Sequence, residues 1–204
     1  MRGRFITLEG IDGAGKSTHL RWIARFLARR GVRVKVTREP GGTPAGEKLR
    51  RMLLGGGDRL HPESETLLMF AARREHLDKV IVPALKAGRW VLCDRFTDAT
   101  YAYQSAGSGV NWNKVGTLER WVQEGLQPDL TLLFDVSPAL GRRRSGRVRR
   151  PDRFEREKQA YYRRVRRAYL RRARESRRRV HVIDAGRDLA VIRKQLEKLL
   201  LSYC

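Results

Sequence analysis

Apolar positions along the chain switch between two periods. "RFITLE" (4–9) is a short, nearly continuous apolar run that breaks at a glycine-rich stretch, the pattern of a buried strand. Between 16 and 30, Leu20, Ile23 and Leu27 recur at helical spacing, and Gly31 closes the segment. "VRVKVTR" (32–38) alternates with period two, which predicts a strand, and "REPGG" follows as a turn. Residues 64–87 predict a helix with Leu67, Leu68, Ala71, Leu77, Val80, Ile81 and Leu85 on one broad face. "RWVLCDR" (89–95), "LTLLFDV" (130–136) and "RVHVIDA" (179–185) predict three more strands. Residues 156–179 predict a helix whose apolar stripe is Tyr161, Val165, Ala168 and Tyr169, with arginine crowding its other faces. Strands alternating with helices imply an α/β fold, a doubly wound five-stranded parallel sheet, because parallel strands need crossovers. Ligands of such sheets sit beyond the carboxyl ends of the strands. No repeat and no linker rich in Pro, Gly or Ser divides the chain, so residues 1–204 are expected to form one domain.

Composition narrows the partners. Lys and Arg number 45 against 22 Asp and Glu, a formal charge of +23 that favours anions: nucleotides, nucleic acid or acidic lipid. For the Arg-rich helix a solvated face is the first reading and weak nucleic-acid contact the second. Two cysteines, Cys93 and Cys204, make no disulfide framework and point to a reducing, cytoplasmic setting. No charged-then-apolar leader occurs and no apolar run approaches ~18 residues, so neither export nor a membrane span is expected. His19, His61, His76 and His181 lack metal-ligand spacing.

The chemistry starts in "GIDGAGKST", residues 10–18, which follows the first strand and opens the first helix. Gly10-x-x-x-x-Gly15-Lys16-Ser17 is a complete P-loop pattern in its strand–loop–helix context. Glycines allow successive N–H groups to face phosphates, and the helix start adds its positive end. Gly10, Ile11, Asp12, Gly13, Ala14, Gly15, Lys16, Ser17 and Thr18 are therefore assigned to a nucleoside triphosphate, with Lys16 on the β- and γ-phosphates and Ser17 on Mg²⁺. No "NKxD"-like base reader of a GTPase is present.

Six segments, "TLEGIDGAGKSTH", "VTREPGGTPAGEKLR", "MFAARREHL", "VLCDRFTDATYAYQ", "PDLTLLFDV" and "DRFE", occur in one order along nearly the whole chain. Together they resemble the thymidylate kinase family, a branch of the P-loop kinase fold. The resemblance implies transfer of the γ-phosphoryl group of ATP to dTMP, in dTTP synthesis, with Mg²⁺ as cofactor and a homodimer formed by helices flanking the sheet, the Leu67–Leu85 helix among them. It implies that Arg38 and Arg95 hold the acceptor phosphate, a fitting use of bidentate guanidiniums. Asp94 would help place Mg²⁺, and Asp12 would accept a hydrogen bond from the 3′-hydroxyl of the acceptor sugar. Arg73, Thr100 and Gln104 match positions that hydrogen-bond thymine, and Tyr103 matches a ring against the deoxyribose. Where the family carries a stacking phenylalanine four residues before that arginine, this chain has Met69 with Phe70 beside it; a thioether also covers a base face.

The resemblance also implies a lid, "GRRRSGRVRRPDRFE" (141–155), with seven arginines and no arginine among the loop residues Asp12, Gly13 and Ala14. Members of this second type carry the catalytic arginine in the lid, and Arg147 and Arg149 are the expected candidates, with Arg153 fixed in the "DRFE" corner. Lys16, Arg38, Asp94 and Arg95 complete the expected catalytic set. A kinase for another nucleotide or nucleoside is the alternative within the class, and a nucleic-acid-binding P-loop ATPase the alternative outside it.

Overall fold

The structure, a computed structural model, describes residues 2–55, 60–145 and 159–203. Five strands, β1 (Phe5–Glu9), β2 (Val34–Arg38), β3 (Trp90–Asp94), β4 (Leu130–Asp135) and β5 (Val180–Asp184), form one sheet in the order β2-β3-β1-β4-β5. All four pairings are parallel. The doubly wound five-stranded sheet expected from the alternation is therefore present. Its central strands are buried on both faces: every residue of β1 is buried, and β3 and β4 nearly so. The edge strand β2 is only partly covered: Val34 and Thr37 are half-buried, and Val36, in phase with Val34 in the sequence alternation, is exposed.

Among the described residues nine α-helical segments flank the sheet. They are α1 (Lys16–Ala28), α2 (Pro44–Leu54), α3 (Pro62–His76), α4 (Val82–Lys86), α5 (Thr97–Thr100), α6 (Trp112–Gln123), α7 (Pro138–Ser145), α8 (Gln159–Glu175) and α9 (Leu189–Leu201). Side chains of α1, α8 and α9 fill one core layer with Leu8, Leu132 and Phe134. The second layer joins Phe5, Val91 and Cys93 to Phe70, Leu77, Ile81 and Val115. Tyr161, Val165, Ala168 and Tyr169 of α8 are all buried, as their spacing predicted. Among the described residues no helix is long and apolar enough to cross a membrane.

Two helical expectations need correction. The stretch predicted as one helix over 64–87 is α3, then a π-helical turn at Leu77–Ile81, then α4. Pro83 offers no N–H to the turn before it, and the wider winding ahead of it rotates the face. Leu77, Ile81 and Leu85 are buried while Leu67 and Ala71 are exposed, and α3 instead turns Glu65, Thr66, Arg73 and His76 inward. The helix predicted over 156–179 ends at Glu175 within the described residues. Its arginines are partly put to structural use: Arg166 pairs bidentately with Asp135, and Arg172 and Arg179 clamp the buried Asp98.

Candidate active site

Parallel pairing delivers charged residues to one edge of the sheet. Glu9, Arg38, Asp94, Asp135 and Asp184 all end their strands, and the register sets Leu8 and Arg38 on either side of Asp94. A cavity of about 640 Å³ opens beyond this edge, within the range of nucleotide-sized sites.

The glycine loop forms its floor. Gly10 has φ 133°, and a Cβ there would stand 2.4 Å from the Phe134 carbonyl oxygen. Gly13, at φ 78°, lies so close to α7 that a Cβ would come within 2.0 Å of the Gly141 carbonyl oxygen. Asp12, Gly13, Gly15, Lys16, Ser17 and Thr18 line the cavity. The side chains of Ile11 and Ala14 turn into the core, so these residues serve the loop through backbone only. Lys16 is 7% exposed and donates through Nζ to the carbonyls of Gly10 (2.8 Å) and Ile11 (3.0 Å). Burial, and then the nearby Arg95, lower its pKa from the usual lysine range.

Arg38, Arg50 and Arg95 crowd the opposite wall. Arg38 Nη2 donates to both carboxylate oxygens of Glu47, at 2.9 and 3.0 Å, and Arg50 donates to the Pro40 carbonyl at 2.7 Å. Burial first, then repulsion from Arg38, lower the pKa of Arg50. A dianion between these groups relieves that repulsion. Arg95 sits in a left-handed conformation, φ 72°, in the turn after β3. Its guanidinium donates to Asp12 at 2.7 Å and lies 4.6 Å over the Tyr103 ring. The Tyr103 hydroxyl donates to the other Asp12 oxygen at 3.2 Å. Burial alone raises the pKa of Asp12, but Arg95 and Lys16 outweigh it and the carboxyl titrates below its ordinary value. The turn is braced from beneath by Glu9, which accepts from the Phe96 N–H at 2.7 Å and the Tyr169 hydroxyl at 2.9 Å. Burial, followed by the Asp98 charge, pushes Glu9 up to about 8.

The far end of the cavity is built by α3, α5 and the π-turn Tyr101–Gly107. Arg73 is 2% exposed; its Nε donates to Glu39 at 2.8 Å and its Nη2 to the Thr100 hydroxyl at 3.1 Å, while Nη1 is buried with no hydrogen-bond partner. Glu39 also pairs with His76 Nδ1 at 3.0 Å, and His76 Nε2 with Thr37 at 2.6 Å. Gln104 donates to Glu65 at 2.9 Å. Met69 lines the cavity together with Arg73, Thr100, Tyr103 and Gln104. Phe70 does not: it is 1% exposed in the second core layer, where Arg73 lies 4.6 Å over its ring. Adjacent helical residues point about 100° apart, so a helix that aims Met69 at the cavity buries Phe70 beneath it.

Arg38, Asp94 and Arg95 thus meet the loop, whereas Arg147, Arg149 and Arg153 lie outside the described residues. Of the lid stem, Arg144 reaches the cavity and donates to the Ala185 carbonyl at 2.7 Å. Arg50, Glu9, Glu39, Glu65 and His76 were not singled out by the sequence reading. Arg50 stands one helical turn beyond Glu47, but nothing local marks it as facing the cavity. The buried carboxylates sit in apolar or turn contexts that carry no motif of their own.

A family model described as thymidylate kinase matches residues 8–196. A thymidylate kinase of Nitrosospira multiformis is 60% identical over 198 residues, covering 97% of each chain. One of Cupriavidus metallidurans is 56% identical over 202 residues, covering 99% of this chain and 100% of that one. A crystal structure of thymidylate kinase from Ehrlichia chaffeensis matches at a TM-score of 0.80 and 34% identity, covering 98% of this chain and 99% of the other.

Proposed function

The chain belongs to the thymidylate kinase family, and from that premise we propose that it is an ATP:dTMP phosphotransferase working as one kinase domain over residues 1–204. It transfers the γ-phosphoryl group of ATP to dTMP, giving ADP and dTDP, in dTTP synthesis. The observation that carries this reading is the meeting of the P-loop with the guanidiniums of Arg38, Arg50 and Arg95 at one mouth of a cavity whose other end presents Arg73, Thr100 and Gln104.

No general base is needed. A phosphomonoester has its second pKa near ~6, so the acceptor is mostly dianionic at neutral pH and its own oxygen attacks the γ-phosphorus as the bond to the ADP oxygen breaks. Lys16 draws charge from the donor phosphates, Arg38, Arg50 and Arg95 hold the acceptor phosphate, and an arginine of the 141–155 lid offsets charge on the transferred group. Asp12, fixed by Arg95 and Tyr103, keeps acceptor capacity for a sugar hydroxyl. Tyr103 closes the space where a 2′-hydroxyl would stand, and Met69 covers the base.

Asp94 Oδ1 is buried with no hydrogen-bond partner beside the loop, and Ser17 lines the cavity, a donor pair suited to Mg²⁺, which keeps several waters and takes few protein ligands. Ser17 and Asp94 would hold the ion. When bound, Mg²⁺ would supply positive charge that offsets the donor phosphates.

We place the protein in the cytoplasm, where its buried thiol Cys93 stays reduced, and infer a homodimer through the face that includes α3. Supporting the dimer, α2, α3 and α6 pack together and expose Met52, Leu67 and Trp121, the last at 75%.

The test is ADP release from Mg·ATP with dTMP, dUMP, dCMP, AMP and thymidine. Turnover highest with dTMP is expected, with kcat/KM reduced about 10²–10³-fold in Arg95→Ala, the effect of losing a preorganised charge-assisted contact. ATP hydrolysis stimulated by nucleic acid, with no acceptor turnover, would overturn the reading.

A further inference from the structure

Three polar side chains confront the base end of the cavity, Arg73, Thr100 and Gln104, and two of them, Arg73 and Gln104, are each engaged from behind by a buried carboxylate. Arg73 commits Nε to Glu39 and Nη2 to Thr100, which leaves Nη1 as the donor without a partner. Gln104, 2% exposed, commits its amide nitrogen to Oε1 of Glu65, which is 0% exposed, across 2.9 Å. A glutamine amide is nearly symmetric in shape but opposite in polarity at its two ends; turning it over exchanges a donor for an acceptor. A carboxylate only accepts, so contact with Glu65 captures the amine end. The carbonyl end is then the one offered to the cavity.

The recognition edge is consequently ordered as donor from Arg73 and acceptor from Gln104. A pyrimidine with a 4-oxo group and an N3–H presents acceptor then donor, and both contacts form. A 4-amino pyrimidine presents its amine to a guanidinium, which has no acceptor, and its bare N3 to a carbonyl oxygen. Both contacts fail and leave buried polar groups unpaired, the arrangement that gives polar sites strong discrimination. We infer that Glu65 is a specificity-determining positioning residue, acting through the amide of Gln104 to make the site accept 4-oxo and reject 4-amino pyrimidine nucleotides. This inference rests on the thymidylate reading above and names a residue outside the set assigned to the reaction.

The experiment compares kcat/KM for dUMP and dCMP, which differ only at this edge, in wild type and Glu65→Gln with Mg·ATP. Glutamine at 65 can donate or accept, so Gln104 becomes free to turn. The dUMP-to-dCMP ratio is expected to fall at least about tenfold, roughly one hydrogen bond, with the change for dUMP carried by KM rather than kcat. In a Gln104→Met background the same substitution should leave the ratio unchanged, because the amide it acts through is gone. A ratio held within about twofold, or an equal loss in the Gln104→Met background, overturns the inference. Thermal melts establish that the variants are folded; if Glu65→Gln is not, Glu65→Asp, whose carboxylate falls short of Gln104, is judged by the same ratio. A wild type that turns over dTMP and dUMP while the variant ratio stays put defeats this inference alone. A wild type with no turnover on either defeats the thymidylate reading as well.

Discussion

Arg73→Met separates the two jobs of the arginine at the base end of the cavity. Arg73 and Glu39 are a buried pair, with side chains 2% and 4% exposed and a 2.8 Å contact. Burial by itself raises the Glu39 pKa; Arg73 and then His76 outweigh it and hold the carboxyl below its ordinary value of 4.5. Methionine fills much of the arginine stem's volume but strands the carboxylate, and breaking a buried pair by removing one partner costs about 3–5 kcal/mol. His76 still donates to Glu39, so the lower end of that range is expected. At about 2–4 °C per kcal/mol for a chain of this length, Tm should fall by roughly 6–12 °C. The sign with pH follows from linkage. In wild type a depressed carboxyl contributes stability above its unfolded pKa and loses it as pH falls. Without Arg73 the carboxyl is raised, so the variant loses stability as pH rises instead, and the gap between the two proteins should be widest near neutrality and narrow below about pH 4.5. Glu39→Gln combined with Arg73→Met removes the stranded charge and should restore about half of the loss, while the KM for dTMP stays high in both variants. Urea denaturation followed by far-UV circular dichroism at several pH values checks all of this. A cost under about 1 kcal/mol with no pH dependence would refute the reasoning, because solvent would then be reaching Glu39.

Other outcomes follow from neighbouring features. Glu9, raised to about 8 by burial and Asp98, contributes stability that is full below 4.5 and lost as pH rises through 8; Glu9→Gln should abolish that loss, so its stability relative to wild type should climb across this window in pH-resolved urea denaturation. Gly13→Ala forces a Cβ to within 2.0 Å of the Gly141 carbonyl at φ 78°, and should raise the KM for ATP about tenfold or more while changing the KM for dTMP little. Leu67→Arg places a charge on the exposed side of α3; sedimentation should show a monomer, and an unchanged dimer would exclude that face.

Much of the fold was legible because local signals and global topology agree. β1, β3 and β4 read as short apolar runs since both their faces are covered, and the P-loop is recognisable because glycine positions such as Gly10 and Gly13 are imposed by close backbone approach over a few residues. Arg38, Asp94 and Arg95 were legible through the family motifs that contain them; Arg38 and Asp94 end their strands and Arg95 follows in the next turn, and parallel strands end together at the ligand edge. Where one face of a helix must serve a polar cavity, the apolar pattern misled: Leu67 was expected on the broad apolar face and is exposed, while Glu65, Arg73 and His76, polar residues outside that face, are buried. Phe70 seemed available to a base, but a residue next to Met69 on a helix cannot share its direction.

The sequence by itself determined the parallel α/β architecture, the phosphate-binding loop and the strand-end charges, each carried by a short run of neighbouring residues. Only the tertiary structure decided which polar groups are buried and which end of each is left to offer a ligand. The pairs that settle this, Arg73 with Glu39 across 34 positions and Gln104 with Glu65 across 39, join separate elements. Desolvation makes those pairs matter: an unpaired polar group is cheap in water and costly in the interior, so its orientation becomes fixed only after the chain has closed around it.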